Sequence, residues 1–115
     1  MARDPNCLFC KILAGEIPST KVYENEHVYA FRDIHPAAPA HILVIPRAHR
    51  ARLSDYAETD ALELGRCLAA AAEIARREKM TDYRVVANCG ERAGQTVWHL
   101  HLHLLGGRDF GWPPG

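Results

Sequence analysis

Three histidines within five residues, His99, His101 and His103, carry most of the chemical information in this chain. Residues 98–105 read Trp-His-Leu-His-Leu-His-Leu-Leu. A β-strand alternates its faces, so the three imidazoles fall on one side and Leu100, Leu102 and Leu104 on the other. The leucine side gains roughly 1.5–3 kcal/mol for each fully buried side chain. The imidazole side gains little from packing, and Thr, Lys or Glu would solvate a sheet more simply. A solvated face is one reading of it. Three ligands to one metal is a second, but alternate strand residues lie roughly 6.6 Å apart, which leaves His99 and His103 too distant to share an ion without hard bending. The third reading is nucleophilic catalysis. An imidazole with a pKa of about 6.5 is largely neutral under physiological conditions, and adjacent imidazoles discourage one another from charging. Pleating then presents the three rings on one wet surface, the central ring free to attack.

Cys7-x-x-Cys10 is a second candidate site. As a redox motif it would open a helix after a strand, and no strand precedes it here. Zinc takes four nitrogen or sulfur ligands in a tetrahedron, so two more would have to come from elsewhere in the chain. Bound metal and free thiols both remain open on spacing alone. Cys67 and Cys89 have no ligand spacing and read as buried thiols.

These residues need a frame. Leu8, Phe9, Ile12 and Leu13 have helical spacing within residues 7–14, closed by Gly15 and Pro18. Lys21–Glu24 and His27–Asp33 read as strands of a hairpin joined at Asn25–Glu26. His41–Ile45 reads as a strand buried on both faces and stopped by Pro46. The longest helix is expected from about Thr59, its cap, to Lys79, with Leu64, Leu68, Ala71, Ala72 and Ala75 as its apolar stripe. The run Ala69–Ala72 permits close approach to a sheet. Tyr83–Cys89 and Val97–Leu104 complete five strands, separated by a glycine-bearing loop over Gly90–Thr96. Most links are too short for parallel crossovers. The expected class is α+β, a five-stranded antiparallel sheet with one long and one short helix. Such a sheet leaves an apolar edge or face uncovered, which dimerisation would remedy.

Composition narrows the function classes. The chain has 115 residues, with 14 Lys+Arg against 14 Asp+Glu and a net charge of zero. That length is expected to form a single domain, 1–115. Neutral balance argues against nucleic acid or an anionic membrane as a partner. No apolar run approaches the roughly 18 residues of a membrane span, and the start lacks the apolar core of a signal peptide. A cytoplasmic location is expected.

The ordered motifs resemble the histidine triad superfamily and, within it, the Hint branch of purine nucleoside phosphoramidases. His99-Leu-His101-Leu-His103-Leu-Leu fits that family's pattern of histidines alternating with apolar residues. Supporting segments are Phe31-Arg-Asp33-Ile34, Ala38-Pro39-Ala40-His41 with its following strand, Asn88, Gly94-Gln95-Thr96, Leu105-Gly-Gly-Arg and Trp112-Pro-Pro-Gly. The resemblance spans essentially the whole chain.

It implies that His101 attacks the α-phosphorus of a nucleoside 5′-phosphoramidate or acyl-adenylate. The nucleotidyl-histidine formed is then hydrolysed to a nucleoside monophosphate. His99 would orient His101 through its backbone carbonyl. His103 and His41 would serve the phosphate and the leaving amine's proton, although a buried histidine at a strand start is also an ordinary feature. Gly94, Gln95 and Thr96 would offer backbone N–H groups and a hydroxyl to the phosphate, and Asn88 would bond the sugar or phosphate. Asp33 would accept from the ribose hydroxyls. Leu8, Phe9, Ile12, Phe31 and Ile34 would sandwich the base or simply pack a core. His35, where relatives usually carry a smaller residue, leaves the rim of that pocket less defined. The resemblance also completes the metal set, with His49 and His99 joining Cys7 and Cys10 around a structural zinc. It further implies a homodimer with a continuous sheet, in which Trp112 and its tail reach the partner's site. Two other functions fit the same residues: a non-catalytic nucleotide-binding regulator, and a dinucleoside polyphosphate hydrolase or nucleotidyl transferase of another branch.

Overall fold

The structure is a computed structural model that describes residues 3–115. Its elements run α1 (Leu8–Leu13), β1 (Lys21–Glu24), β2 (Val28–Arg32), β3 (Ala40–Pro46), α2 (Ala61–Arg77), β4 (Tyr83–Val86) and β5 (Leu102–Gly106), with short 3₁₀ turns between. The strands form one sheet in the order β1-β2-β3-β5-β4, every neighbouring pair antiparallel. This is the expected α+β class.

β3 is central and buried along nearly its whole length, as a continuous apolar run requires. Its alternation divides two cores. Ile42 and Val44 join Val28, Ala30, Leu102 and Leu104 beneath Cys67, Ala70, Ala71 and Ile74 of α2. Leu43 and Ile45 face the other way, onto Phe31, Phe9 and the two cysteines of the α1 region. Phe31, Leu43 and His103 are successive cross-strand partners, so they form one row across the sheet. The α1 side is therefore the side that carries histidine.

Four local expectations are corrected. First, β5 begins at Leu102, not Val97, because the Leu100 N–H leaves the ladder to donate to the Arg50 carbonyl at 2.8 Å. Second, α2 spans a turn less than Thr59–Lys79. Thr59 lies in a 3₁₀ turn, Glu58–Asp60, and does not cap the helix. Third, the buried stripe of α2 is Cys67, Ala70, Ala71, Ile74 and Ala75, whereas Leu68 is 54% exposed. Small side chains win the inward positions because they let the helix approach β3 closely. Fourth, β4 stops at Val86, and Cys89 is only half-buried. No helix among the described residues is long and apolar enough to cross a membrane.

Candidate functional site

The histidine segment folds as two pieces with different jobs. His103 sits within β5, while His99 and His101 belong to the irregular approach to it. His99 is fully buried and His101 is only 8% exposed. The expected wet surface is therefore a sequestered one. α1 covers it, and the Phe9 ring stands edge-on to His101 with centroids 5.2 Å apart and to His99 at 5.9 Å.

Each ring has a defined protonation. His101 Nδ1 lies 2.7 Å from the His99 carbonyl, which can only accept, so Nδ1 carries the proton and Nε2 keeps its lone pair. Burial drives the His101 pKa down, against the opposing influence of that hydrogen bond and of Asp33. His41 Nδ1 accepts from the Ala37 N–H at 2.9 Å, which puts the His41 proton on Nε2. That nitrogen donates to His103 Nδ1 at 2.9 Å, so the remaining proton of His103 is on its own Nε2. Burial lowers His41, with Asp33 opposing. Burial, and then the neighbouring His101 and His41 rings, push His103 down to about 4. The site thus holds one imidazole nitrogen with a free lone pair beside another that bears hydrogen.

Asp33, His41 and His103 also stand close enough to resemble a metal triad. The Ala37 amide excludes that use. It occupies His41 Nδ1, so Nε2 is protonated and has no lone pair to lend a cation.

A different group fits a metal well. Cys7 caps α1, its Sγ accepting from the Cys10 N–H at 3.4 Å, and this brings both sulfurs to one end of the helix. The Asp4 N–H points at Cys10 Sγ, also at 3.4 Å. His99 Nδ1 lies 3.4 Å from Cys7 Sγ, 3.7 Å from Cys10 Sγ and 3.2 Å from His49 Nδ1, while Cys10 Sγ and His49 Nδ1 are 3.5 Å apart. A tetrahedral ion with bonds of about 2.0–2.3 Å to nitrogen and sulfur needs ligand–ligand edges of about 3.3–3.8 Å. His99 Nε2 donates to the Pro46 carbonyl at 2.8 Å, which leaves Nδ1 deprotonated toward the cluster. Burial, and then the neighbouring Cys10 side chain, raise the Cys7 thiol. Burial, and then the His49 and His101 rings, push His99 down to about 4 against the Pro46 hydrogen bond, so the ring stays neutral as a ligand must. Cys7, Cys10, His49 and His99 could therefore hold a metal ion.

A cleft of about 590 Å³ opens beside His101 and His103. Leu8, Phe9, Ile12, Phe31, Asp33, Ile34 and Thr96 line it. Ile34, 86% exposed, stands at its open rim with His35. The Asp33 carboxylate is partly committed, since Oδ1 accepts from the His35 N–H at 2.8 Å and Oδ2 lies 3.4 Å from His41 Nε2.

Four expected residues are placed elsewhere. The Gly94 and Gln95 N–H groups donate within their own turn, to the Glu91 and Gly90 carbonyls. The Gln95 side chain is buried, accepts from Gly90 and donates to the Ala51 and Val97 carbonyls, so it braces the loop rather than facing the cleft. Trp112 is 84% exposed and lies outside the lining. Asn88 is half-buried beside Gly94, also outside the lining. Sequence reasoning missed Ser19, Thr20, Arg32 and Leu43, all of which line the cleft. Leu43 was accessible from the β3 alternation, which puts it on the His41 side. The segment after α1 carries no such signal.

A five-stranded antiparallel sheet with a row of histidines over a cleft and a Cys₂His₂ cluster under its short helix is the architecture of a histidine triad protein. The comparisons agree: residues 14–110 match the HIT domain family, and the chain belongs to that family. A solved HIT family hydrolase from Legionella pneumophila is similar with a TM-score of 0.92 and 49% identity, covering 96% of this chain and 100% of that one. A 14 kDa zinc-binding protein of Zea mays is 48% identical over 116 residues, 97% of this chain and 90% of its own. An Arabidopsis thaliana protein named adenylylsulfatase HINT1 is 44% identical over 115 residues, 97% of this chain and 78% of its own.

Proposed function

We propose that the protein is a nucleotide-binding hydrolase that cleaves the P–N bond of purine nucleoside 5′-phosphoramidates, with His101 as nucleophile. The observation that carries this reading is the 2.7 Å bond from His101 Nδ1–H to the His99 carbonyl. It leaves Nε2 unprotonated in a ring that lines a nucleotide-sized cleft.

In the first step the Nε2 lone pair attacks the α-phosphorus. The P–N bond breaks, its electron pair goes to nitrogen, and the group departs as an amine after taking one proton. The ring is then nucleotidylated on Nε2 and still protonated on Nδ1, its charge stabilised by the His99 carbonyl. In the second step water attacks phosphorus. The P–Nε2 pair returns to the ring, and one proton is released with the nucleoside monophosphate. The His103 Nε2–H donates to a phosphoryl oxygen, and Thr96 offers its hydroxyl. Leu8, Phe9, Ile12, Phe31 and Ile34 flank the base, and Asp33 faces the ribose. The apolar part of the cleft suits a flat purine better than a charged group.

Acyl-adenylates and related mixed anhydrides present the same phosphorus to the same nitrogen. The relative named as an adenylylsulfatase favours including them.

The Cys7, Cys10, His49, His99 cluster holds zinc in this reading, as a structural ion that pins α1 over the histidines. β4 is an edge strand whose Tyr83 and Val85 are exposed, and Leu62 and Leu68 of α2 are exposed as well. That apolar edge supports pairing of two copies, with Trp112 directed at the partner's cleft. The functional reading is tested by turnover of an adenosine phosphoramidate by wild type and His101→Ala. Release of the amine by wild type and its loss in the variant is the expected result, and equal turnover by the two would refute the mechanism.

A further inference from the structure

On its Nδ1 side the tautomer of His41 is set by a single backbone amide, and that amide belongs to a turn held by a residue far away in sequence. Ala37 lies between Pro36, which has no N–H, and the short link to Pro39. Its N–H donates to His41 Nδ1 at 2.9 Å. Its carbonyl, on the opposite side of the residue, accepts from Arg108 Nε at 3.1 Å. The Arg108 guanidinium is flattened on the Phe110 ring, 4.3 Å from its centroid, and donates a second bond to the Asp109 carbonyl. Gly107 lets this segment lie against the turn. Its φ is +90°, and a Cβ there would stand 2.9 Å from Pro39 Cβ. The line of contacts therefore runs from Arg108 through Ala37 to His41, and from His41 to His103 in the cleft.

We propose that Arg108 is a positioning residue: by anchoring Ala37 through its carbonyl it keeps the Ala37 N–H aimed at His41 and the proton of His41 on Nε2, and thereby the proton of His103 on the Nε2 that meets the phosphoryl group. The role of His103 rests on the function proposed above. The tautomer control does not, since it operates in the free protein. The charged and titratable groups facing this pair are Asp33, 3.4 Å from His41, and His101, whose ring centroid is 5.0 Å from that of His103. None of these can replace the Ala37 amide at His41 Nδ1, because that nitrogen is turned to the backbone. Without the amide, His41 gains access to the other tautomer. His103 Nδ1 then loses its donor, and its own proton can move to the nitrogen that points away from substrate.

Long-range ¹H–¹⁵N correlation spectra of the zinc-loaded, full-length protein read the protonated nitrogen of each ring directly. Wild type is expected to show both His41 and His103 protonated on Nε2. Arg108→Ala should give mixed tautomers at both, with kcat on a phosphoramidate reduced about tenfold, as for loss of an outer-shell partner, and KM changed little. Arg108→Lys, which can still donate to the Ala37 carbonyl, should restore most of the wild-type pattern. Arg84→Ala removes the bond to Gly111 and the Arg84 side of the Phe110 ring but leaves the Arg108 bond to the Ala37 carbonyl in place, and should leave both tautomers as in wild type. A wild-type His41 protonated on Nδ1 would overturn the inference, as would an Arg108→Ala protein with unchanged tautomers. So would an Arg84→Ala protein that loses them equally, because the cause would then be general loosening of the tail. Tautomers that follow this pattern in a protein without phosphoramidase activity would refute the functional reading alone.

Discussion

His99 holds His101 by one atom and turns another toward Cys7, Cys10 and His49. Its carbonyl accepts the His101 Nδ1–H at 2.7 Å, while its Nδ1 lies within 3.2–3.7 Å of the other three cluster ligands. One residue thus belongs both to the scaffold that an ion would brace and to the hydrogen bond that leaves His101 Nε2 unprotonated. Phe9, flanked by Cys7 and Cys10, packs edge-on to both rings and ties the helix to the pair.

Protein purified without chelator should contain about one zinc per chain, the capacity of a single tetrahedral site. Cys10→Ser should lose the metal and unfold at a lower temperature, since binding free energy at such a site is folding free energy. Elemental analysis and thermal unfolding check both. In the zinc-loaded protein Cys7 and Cys10 should resist thiol reagents. A metal-free wild type whose two thiols titrate freely would remove the metal site.

Stability should fall in acid for a reason specific to the histidine pair. His103 has a folded pKa of about 4 against an ordinary value of about 6.5. The unfolded chain therefore binds the proton first as pH falls, and the folded state loses stability through the window from about 6.5 down to about 4. His41, also lowered by burial, adds in the same direction. His103→Gln should flatten the dependence in that window relative to wild type. Urea midpoints at several pH values measure it, and parallel curves for the two proteins would contradict the assignment.

The α2 side of the sheet should carry most of the fold's stability. Ile74 is fully buried among Val44, Leu104 and Cys67. Ile74→Ala should cost about 2–5 kcal/mol, the transfer loss plus a cavity that the close helix cannot fill. The urea midpoint should fall with little change in slope. A loss below about 1 kcal/mol would mean that the helix relaxes onto the sheet more readily than its alanine contacts suggest.

Much of the sheet was legible in the sequence because its strands carry strong alternation or continuous apolar runs. The order of hairpin, buried strand, long helix and returning strands follows from those runs and from short links. The histidine register with the leucines marked the candidate site, and Cys-x-x-Cys marked half of the four residues that could hold a metal. What periodicity could not reveal was the break at Leu100. Its N–H leaves the ladder for Arg50, so His99 is buried at the cluster and not displayed on a strand. The burial of His101 was likewise invisible, since it depends on α1 folding back across the sheet. The α2 stripe was misphased because large leucines were favoured over Cys67 and Ala70 as inward residues, although close packing against β3 prefers the small ones. The resemblance offers Gln95 as a backbone N–H donor to phosphate, and only the three-dimensional partners at Gly90, Ala51 and Val97 identify the residue as a brace.

The central claim is that the unprotonated nitrogen of His101 attacks phosphorus. The most direct measurement mixes the protein with an adenosine phosphoramidate, stops the reaction within a turnover under alkaline denaturing conditions, and locates any added adenylyl group by peptide mass spectrometry. The account predicts one adenylyl group, on His101, absent from the His101→Ala protein. An adduct on His103 or His41, or turnover at the wild-type rate without His101, would contradict it.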